Sequence, residues 1–110
     1  MRQCEIWYAN LNPGKVSEQL GFRPVVIVSG NVLNQYLQVV ITCPLTTKIK
    51  NYKGNVILEP DEFNGLTEKS EIMIFHIRSV SKDRLVKKIG SITEQQLSDL
   101  KIGLDDILRY

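Results

Sequence analysis

Residues 10–29 decide the fold, and they read NLNPGKVSEQLGFRPVVIVS. Residues 10–22 are rich in Asn, Pro, Gly and polar side chains, which is typical of a long loop. Residues 24–29 (PVVIVS) are largely β-branched and apolar, and such a run predicts a strand that is buried on both faces. The stretch therefore predicts a loop that leads directly into a fully buried strand.

The rest of the chain alternates short strand patterns with turns. Further strands are predicted at residues 4–9, 37–43, 55–59, 71–80 and 87–92, a polar and basic loop at 46–54, and turns at 61–66 and 81–84. Within residues 71–80, period-two alternation places His76 and Arg78 on one face, together with Ile72, Ile74 and Val80.

The clearest helix is predicted after residue 92. Thr93 is a good N-cap, Gln96 completes a capping box, and Ile92 is placed to pack onto Leu97. One apolar stripe is expected along this helix, formed by Leu97, Leu100, Leu104, Ile107 and Leu108. Gly103 should weaken the helix by about 1 kcal/mol relative to Ala. Short strands with one terminal helix predict an α+β fold dominated by β structure: a small, bent antiparallel sheet, partly closed as an SH3-like barrel.

Size and charge narrow the possible functions. The 110 residues fit a single domain, residues 1–110. Fourteen Lys and Arg against twelve Asp and Glu give a net charge of +2, so a nucleic-acid partner must be argued from where the cations lie. No apolar run approaches the roughly 20 residues that span a bilayer. We therefore expect a cytoplasmic protein without a membrane partner.

Two cysteines, Cys4 and Cys43, lie far apart and lack metal-ligand spacing. In a reducing compartment we expect both to be small, partly or fully buried thiols rather than a disulfide. The sequence contains no His, Cys and carboxylate cluster of the kind that binds zinc. We expect neither a metal nor another cofactor.

Several short segments follow one another in a distinctive order. Pro13, a loop ending in Ser17-Glu18-Gln19, Gly21 and Arg23-Pro24 lead into the buried strand; after them come Pro44-Leu45-Thr46-Thr47, Ile77-Arg78-Ser79-Val80 and Lys88-Ile89-Gly90. In this order the segments resemble the MazF/PemK family over nearly the whole chain. Several segments in the right order are far more specific than any one alone.

The resemblance implies a CcdB/PemK-like fold and a homodimer that cuts single-stranded RNA at a short sequence. In this family the substrate's own 2′-hydroxyl is the nucleophile, and the products carry a 2′,3′-cyclic phosphate and a 5′-hydroxyl, without a metal. The protein would be the toxin of a toxin–antitoxin pair, neutralised by the flexible acidic segment of a cognate antitoxin. The family's catalytic arginine falls on Arg23 and its catalytic threonine on Thr46.

The chemistry of these two side chains suits the role. Attack at phosphorus builds negative charge on the phosphoryl oxygens, and the guanidinium of Arg23 offers charge and forked donors to stabilise it. Thr46 can donate one hydrogen bond, but neither group is a convincing general base, so the base stays open. The alternative interpretations are an ion pair between Arg23 and Glu18 and a threonine that merely ends a strand.

The expected RNA contacts lie in three segments. Ser17, Glu18 and Gln19 match the family's substrate-contacting loop, although a solvated loop would look the same. Thr47 and Lys48 begin a loop with three lysines, no acidic residue and Tyr52, which can follow phosphates and stack on a base. Arg78 and His76 lie in the third segment.

His76 stands where the family usually has Gln, and Phe75 replaces an acidic residue. His76 is the only histidine of the chain. It could be a structural residue, a substrate contact or a general acid or base.

Two other functions compete with RNA cleavage. The first is a non-catalytic protein of the same fold, such as a gyrase-directed toxin. The second is a small SH3-like adaptor that binds peptide in an exposed aromatic groove. Several of the aromatic residues lie inside strand patterns and do not indicate such a groove. An RNA cleavage assay separates these functions.

Overall fold

A computed structural model describes residues 1–13 and 21–110. Within these residues the chain forms seven strands and two α-helices, which are, in order, β1 Glu5–Asn10, β2 Phe22–Ile27, α1 Asn31–Tyr36, β3 Val39–Thr46, β4 Val56–Leu58, β5 Ser70–Ile72, β6 Arg78–Ser81, β7 Leu85–Ser91 and α2 Glu94–Arg109. Two 3₁₀ turns, Ile74–His76 and Lys82–Arg84, lie on either side of β6. The predicted substrate contacts Ser17, Glu18 and Gln19 fall outside the described residues.

The strands form one antiparallel sheet in the order β4-β5-β3-β2-β1-β7, with β6 also paired to β3. Strand β3 changes partner along its length: Val39 to Thr42 pair with β6, whereas Leu45 and Thr46 pair with β5. The sheet curls around this exchange into a half-barrel. The predicted fold, a bent, β-dominated antiparallel sheet with a C-terminal helix, is confirmed.

Strand β2 has an apolar layer on each face. Val26 belongs to a buried cluster with Leu100 of α2, whereas Val25 and Ile27 belong to a second cluster with Val40. The side chains of Val25, Val26 and Ile27 are all fully buried, as the sequence predicts. Because both faces of β2 are packed, its backbone is a rigid support for any side chain it carries.

Helix α2 begins as predicted. The Thr93 hydroxyl accepts the Gln96 N–H at 3.1 Å, and the Gln96 side chain accepts the Thr93 N–H at 2.8 Å. The predicted apolar stripe is right for Leu97 and Leu100, which are buried, but wrong at its end. Ile107 and Leu108 are 42% and 78% exposed, because the helix packs against the core only as far as Leu104. No helix among the described residues is long and apolar enough to cross a membrane.

Gly103 has a positive role that the sequence does not reveal. A Cβ atom at this position would lie 2.2 Å from the carbonyl oxygen of Gly54. The helix backbone therefore rests directly on the end of the loop that joins β3 to β4. The helix-propensity cost of Gly103 is offset by this close packing, which larger residues would prevent.

Helix α1 was not predicted, and the strand expected at residues 37–43 lies at Val39–Thr46 instead. A buried polar network explains the difference. The Asn34 amide donates to the Ser29 carbonyl at 2.9 Å, while the Ser29 hydroxyl donates to Asn34 and accepts the Ile41 N–H at 2.9 Å. These contacts fold the chain back between β2 and β3 and delay the start of β3.

The single strand predicted at residues 71–80 is wrong. The chain leaves the sheet after Ile72, makes the 3₁₀ turn Ile74–His76 and returns as β6. The Met73 N–H donates to the Pro44 carbonyl at 2.8 Å, and Ile74 is fully buried. The interruption adds three residues to the register with β3, since Ile72 pairs with Leu45 but Arg78 pairs with Thr42. Period-two alternation therefore does not hold across these residues.

Candidate functional site

Arg23 is the second residue of β2 and lies just before the packed part of that strand. Its side chain is exposed, whereas Val25, two residues on, is fully buried. Arg23 pairs with Ala9 of β1, and continuing the β2–β3 register from the pair Val25–Pro44 places it opposite Thr46. A guanidinium held this way needs little reorganisation to meet a negative charge.

Arg23 forms part of a cleft of about 230 Å³, here named the arginine cleft, which is lined by Leu11, Gly21, Arg23, Pro44, His76 and Arg78. His76 and Arg78 are both exposed. The structure thus brings together the two residues that the sequence placed on one face. They lie together because the 3₁₀ turn places His76 near the start of β6, and not because side chains alternate along a single strand.

Three hydrogen bonds to backbone carbonyls hold the wall of the arginine cleft. Arg84 Nη1 donates to the carbonyls of Asn10, at 3.0 Å, and Asn12. The Leu11 N–H donates to the Gly21 carbonyl at 2.9 Å, and a Cβ on Gly21 would overlap the Asn12 side chain. Sequence reasoning gave Arg84 no role, because its carbonyl acceptors lie far away in the chain.

A second cleft lies on the other side of Arg23. This threonine cleft, of about 330 Å³, is lined by Tyr8, Phe22, Arg23, Pro24, Leu45, Thr46, Thr47 and Lys48. The Thr46 hydroxyl oxygen accepts the Lys48 N–H at 3.1 Å, which fixes its position and leaves its hydrogen able to donate. The predicted residues Arg23, Thr46, Thr47 and Lys48 therefore share one surface.

A third cleft, the lysine cleft, continues this surface. It has a volume of about 500 Å³ and is lined by Tyr8, Pro24, Gly65, Leu66, Thr67, Lys87, Lys88 and Ile89. Tyr8 and Pro24 belong to both the threonine and lysine clefts. Lys88 forms an ion pair with Glu5 at 3.1 Å, whereas Lys87 pairs with Tyr8 across the strands and is exposed.

The three clefts form a continuous cationic track. Its charged side chains are Arg78, Arg23, Lys48, Lys87 and Lys88, and no carboxylate is among the described residues that line it. A track of this kind suits an extended polyanion. Lys87 and Lys88 are the members that sequence reasoning did not assign to a site, although the adjacent lysines in β7 were a visible signal.

Glu71 supports the loop that follows Thr46, and sequence reasoning did not find it. Its side chain is fully buried, and its carboxylate accepts backbone N–H groups of Lys50 at 2.7 Å, Asn51 at 3.0 Å and Tyr52 at 2.9 Å. The Asn55 amide donates to it at 3.0 Å. The signal in the sequence was an acidic residue directly before the apolar run at residues 72–75.

The same contacts keep Glu71 ionised. Burial alone raises the pKa of its carboxyl, but the Asn55 amide and the three backbone donors outweigh burial and hold the pKa below its ordinary value. Asn51 adopts a left-handed conformation with φ of 54°, so the loop curls around the carboxylate. A buried negative charge thus shapes a loop whose outer face carries lysines.

The cysteines lie away from this track. Cys43 is buried, and burial raises the pKa of its thiol to about 12. Cys4 is half-buried, and burial is also the main reason why its thiol pKa is raised. Both are free thiols, as the sequence predicts. Among residues 1–13 and 21–110, no group of three or more His, Cys, Asp or Glu side chains is placed to hold a metal ion.

Comparison with known proteins identifies close relatives in sequence and fold. The profile of the family described as "PemK-like, MazF-like toxin of type II toxin-antitoxin system" matches residues 2–108. An endoribonuclease MazF of Staphylococcus saprophyticus subsp. saprophyticus is 31% identical over 107 residues, which are 96% of this chain and 88% of that protein.

Solved structures share the fold at lower identity. MazF from Deinococcus radiodurans superimposes with a TM-score of 0.80 and 22% identity, covering 100% of this chain and 97% of that one. An endoribonuclease from a mycobacterial species, solved in complex with its cognate antitoxin, gives a TM-score of 0.79 and 22% identity over 98% of this chain and 94% of that one.

Proposed function

Since the chain belongs to the PemK-like, MazF-like toxins of type II toxin–antitoxin systems, we propose that it is an endoribonuclease that cleaves single-stranded RNA at a short sequence. The relative from Staphylococcus saprophyticus is named for this activity. The observation that carries the proposal is the position of Arg23, which forms a wall of both the arginine cleft and the threonine cleft. An RNA strand that follows the cationic track passes this guanidinium.

The proposed reaction needs no metal, because the substrate provides the nucleophile and the protein provides the charge. The ribose 2′-oxygen attacks the adjacent phosphorus and loses its proton, and the bond from phosphorus to the 5′-oxygen breaks as that oxygen gains a proton. The products are a 2′,3′-cyclic phosphate and a 5′-hydroxyl. Arg23 stabilises the negative charge on the phosphoryl oxygens, and Thr46 donates a hydrogen bond to one of them.

The remaining site residues bind the substrate. Thr47 and Lys48 border the strand in the threonine cleft, and His76 and Arg78 border it in the arginine cleft. His76 is the imidazole among the described residues of the arginine cleft, and histidine is the side chain that most often acts as acid or base in catalysis, so it is the candidate to test in that role. Ser17, Glu18 and Gln19 are assigned to substrate contact from the sequence alone.

A cleavage assay tests this function directly. The purified protein, free of any antitoxin, is incubated in EDTA with a long RNA of mixed sequence, and the new 5′ ends are mapped. We expect cuts at a short common sequence, with 5′-hydroxyl ends. Activity that disappears in EDTA and returns with magnesium, or products with 5′-phosphate ends, would contradict the mechanism. Absence of any cut would favour a non-catalytic binding protein of this fold.

We also propose a homodimer that is inhibited by a cognate antitoxin in the cytoplasm. A two-fold pair joins two cationic tracks into a longer one. An acidic, flexible antitoxin segment competes with RNA for Arg23, Arg78 and the Lys48–Lys53 loop, because both ligands are extended polyanions. Light scattering should give twice the chain mass of 12.6 kDa. A fully active monomer, or a ternary complex of peptide, RNA and protein, would contradict these assignments.

A further inference from the structure

Three ring side chains form an exposed row beside the arginine cleft. The rings of Tyr52 and Phe75 lie 5.8 Å apart, nearly edge to face, and those of Phe75 and His76 lie 4.4 Å apart. Tyr52 is 50% exposed and Phe75 is 51% exposed. The sequence indicated Tyr52 as a ring that can stack on a base, but it did not indicate Phe75, which it predicted within a continuous strand.

The row is held in place by buried structure beneath it. The Tyr52 N–H donates to the Glu71 carboxylate at 2.9 Å, and Phe75 is the residue directly after the fully buried Ile74. The His76 N–H closes the 3₁₀ turn on the Met73 carbonyl at 3.1 Å. Rings on a fixed backbone lose little conformational freedom when a ligand binds, so the row is ready to receive one.

Charge and position indicate which ligand fits. His76 belongs both to the row and to the arginine cleft, so the row extends the surface that contains Arg23 and Arg78. Lys50 and Lys53 lie on the same loop as Tyr52 and are exposed. Exposed rings beside cations are how proteins bind single-stranded nucleic acid, with bases stacked on the rings and phosphates near the lysines. A peptide without negative charge would gain nothing from these lysines.

We propose that Tyr52 and Phe75 form a base-stacking subsite for the nucleotides that extend beyond His76. The inference rests on the proposed function only in that its ligand is the same RNA strand. Stacking is tolerant of base identity because every base has a flat face. The subsite therefore adds binding energy away from the scissile bond and leaves the choice of cleaved sequence to the clefts.

Binding to two uncleavable strands tests the subsite. The first strand is a 2′-O-methyl RNA of mixed sequence, and the second is an abasic strand with the same number of phosphates. Phe75→Leu and Tyr52→Leu retain apolar bulk but remove the ring. Each should weaken binding of the first strand about tenfold and leave binding of the second unchanged. Tyr36→Leu is the matched control, since Tyr36 is 74% exposed on α1 and lies outside the described lining of the three clefts.

The outcomes separate the inference from the proposed function. Equal loss for both strands, or no loss for either, would overturn the stacking subsite even if the protein cleaves RNA normally. If Phe75→Leu instead halves the mass in solution, the row is a contact between protein chains, and if it abolishes binding of an uncharged proline-rich peptide, the row is an adaptor groove. Because the strands cannot be cleaved, a protein without nuclease activity can still support the subsite.

Discussion

Replacing Glu71 with Gln should destabilise the protein without changing its shape. Each carboxylate oxygen of Glu71 accepts two N–H groups: one accepts from Lys50 and Asn51, the other from Tyr52 and Asn55. An amide has only one oxygen, so its NH₂ group must face two donors whichever way it is oriented. Two N–H groups then lose their acceptor.

The expected loss follows from this count. A buried donor left without an acceptor costs about 1–3 kcal/mol. Two such donors, partly relieved by water at the loop surface, give a loss of about 3 kcal/mol in the free energy of unfolding. For a domain of about a hundred residues, each kcal/mol lowers Tm by about 4 °C, so Glu71→Gln should lower it by about 12 °C. Amide exchange at Lys50, Asn51 and Tyr52 should accelerate most, because these groups contact the carboxylate directly.

The pH dependence gives an independent test. Because the folded-state pKa of Glu71 is lowered, its stabilisation is fully present above the unfolded pKa of about 4.3 and is lost as pH falls through the folded pKa. The difference in Tm between wild type and Glu71→Gln should therefore be constant near neutral pH and shrink in acid. The control is Glu59→Gln, which removes only an exposed ion pair with Lys69 at 3.4 Å and should change stability by less than about 1 kcal/mol. Equal Tm and equal amide exchange in wild type and Glu71→Gln would refute the reasoning.

Other substitutions test the proposed roles of the cleft residues. Arg23→Ala should lower kcat/KM for RNA by about two to three orders of magnitude at unchanged Tm, because the guanidinium acts on transition-state charge, whereas the control Arg109→Ala at the exposed end of α2 should not. Thr46→Ala should slow cleavage less than Arg23→Ala does, since it removes one neutral donor. Single-turnover rates would measure this difference. His76→Gln should retain the rate and shift the mapped cut sites. Lys48→Ala should weaken the binding of all RNA sequences alike. It should also reduce, by about 0.7, the slope of the logarithm of the binding constant against the logarithm of the salt concentration.

For Arg23, His76 and Lys48, one result would contradict the proposed role. If Arg23→Ala melts early and a stabilised version cleaves normally, the residue belongs to an ion pair with Glu18. If His76→Gln abolishes cleavage and removes one limb of the pH–rate profile, His76 is a general acid or base. An unchanged salt slope in Lys48→Ala would mean that this lysine does not contact a phosphate.

The sequence predicted the features whose causes are local. Strand β2 follows from a β-branched run, and the start of α2 follows from Thr93 and Gln96, which make their hydrogen bonds three residues apart. That Arg23, Thr46 and Arg78 share one site was predicted only through the family resemblance, because these residues lie far apart in the chain.

Features that depend on distant contacts were not predicted. The turn Ile74–His76 shifts the register with β3 by three residues, and residues 71–80 give no sign of that shift. Glu71 is stabilised by backbone N–H groups about twenty residues earlier, and backbone groups leave no trace in a sequence. The close contact between Gly103 and Gly54 was also not predicted, because it joins a loop and a helix that no local sequence pattern connects.

The position of β1 between β2 and β7 has a consequence for synthesis. A ribosome makes β1 and β2 early, and domains generally fold as units while they emerge. The arginine cleft, however, needs His76 and Arg78, and the second edge of β1 needs Leu85–Ser91. A nascent chain that ends before these residues contains Arg23 but no assembled cleft around it. During translation, Arg23 is therefore synthesised well before the residues that complete the cleft around it.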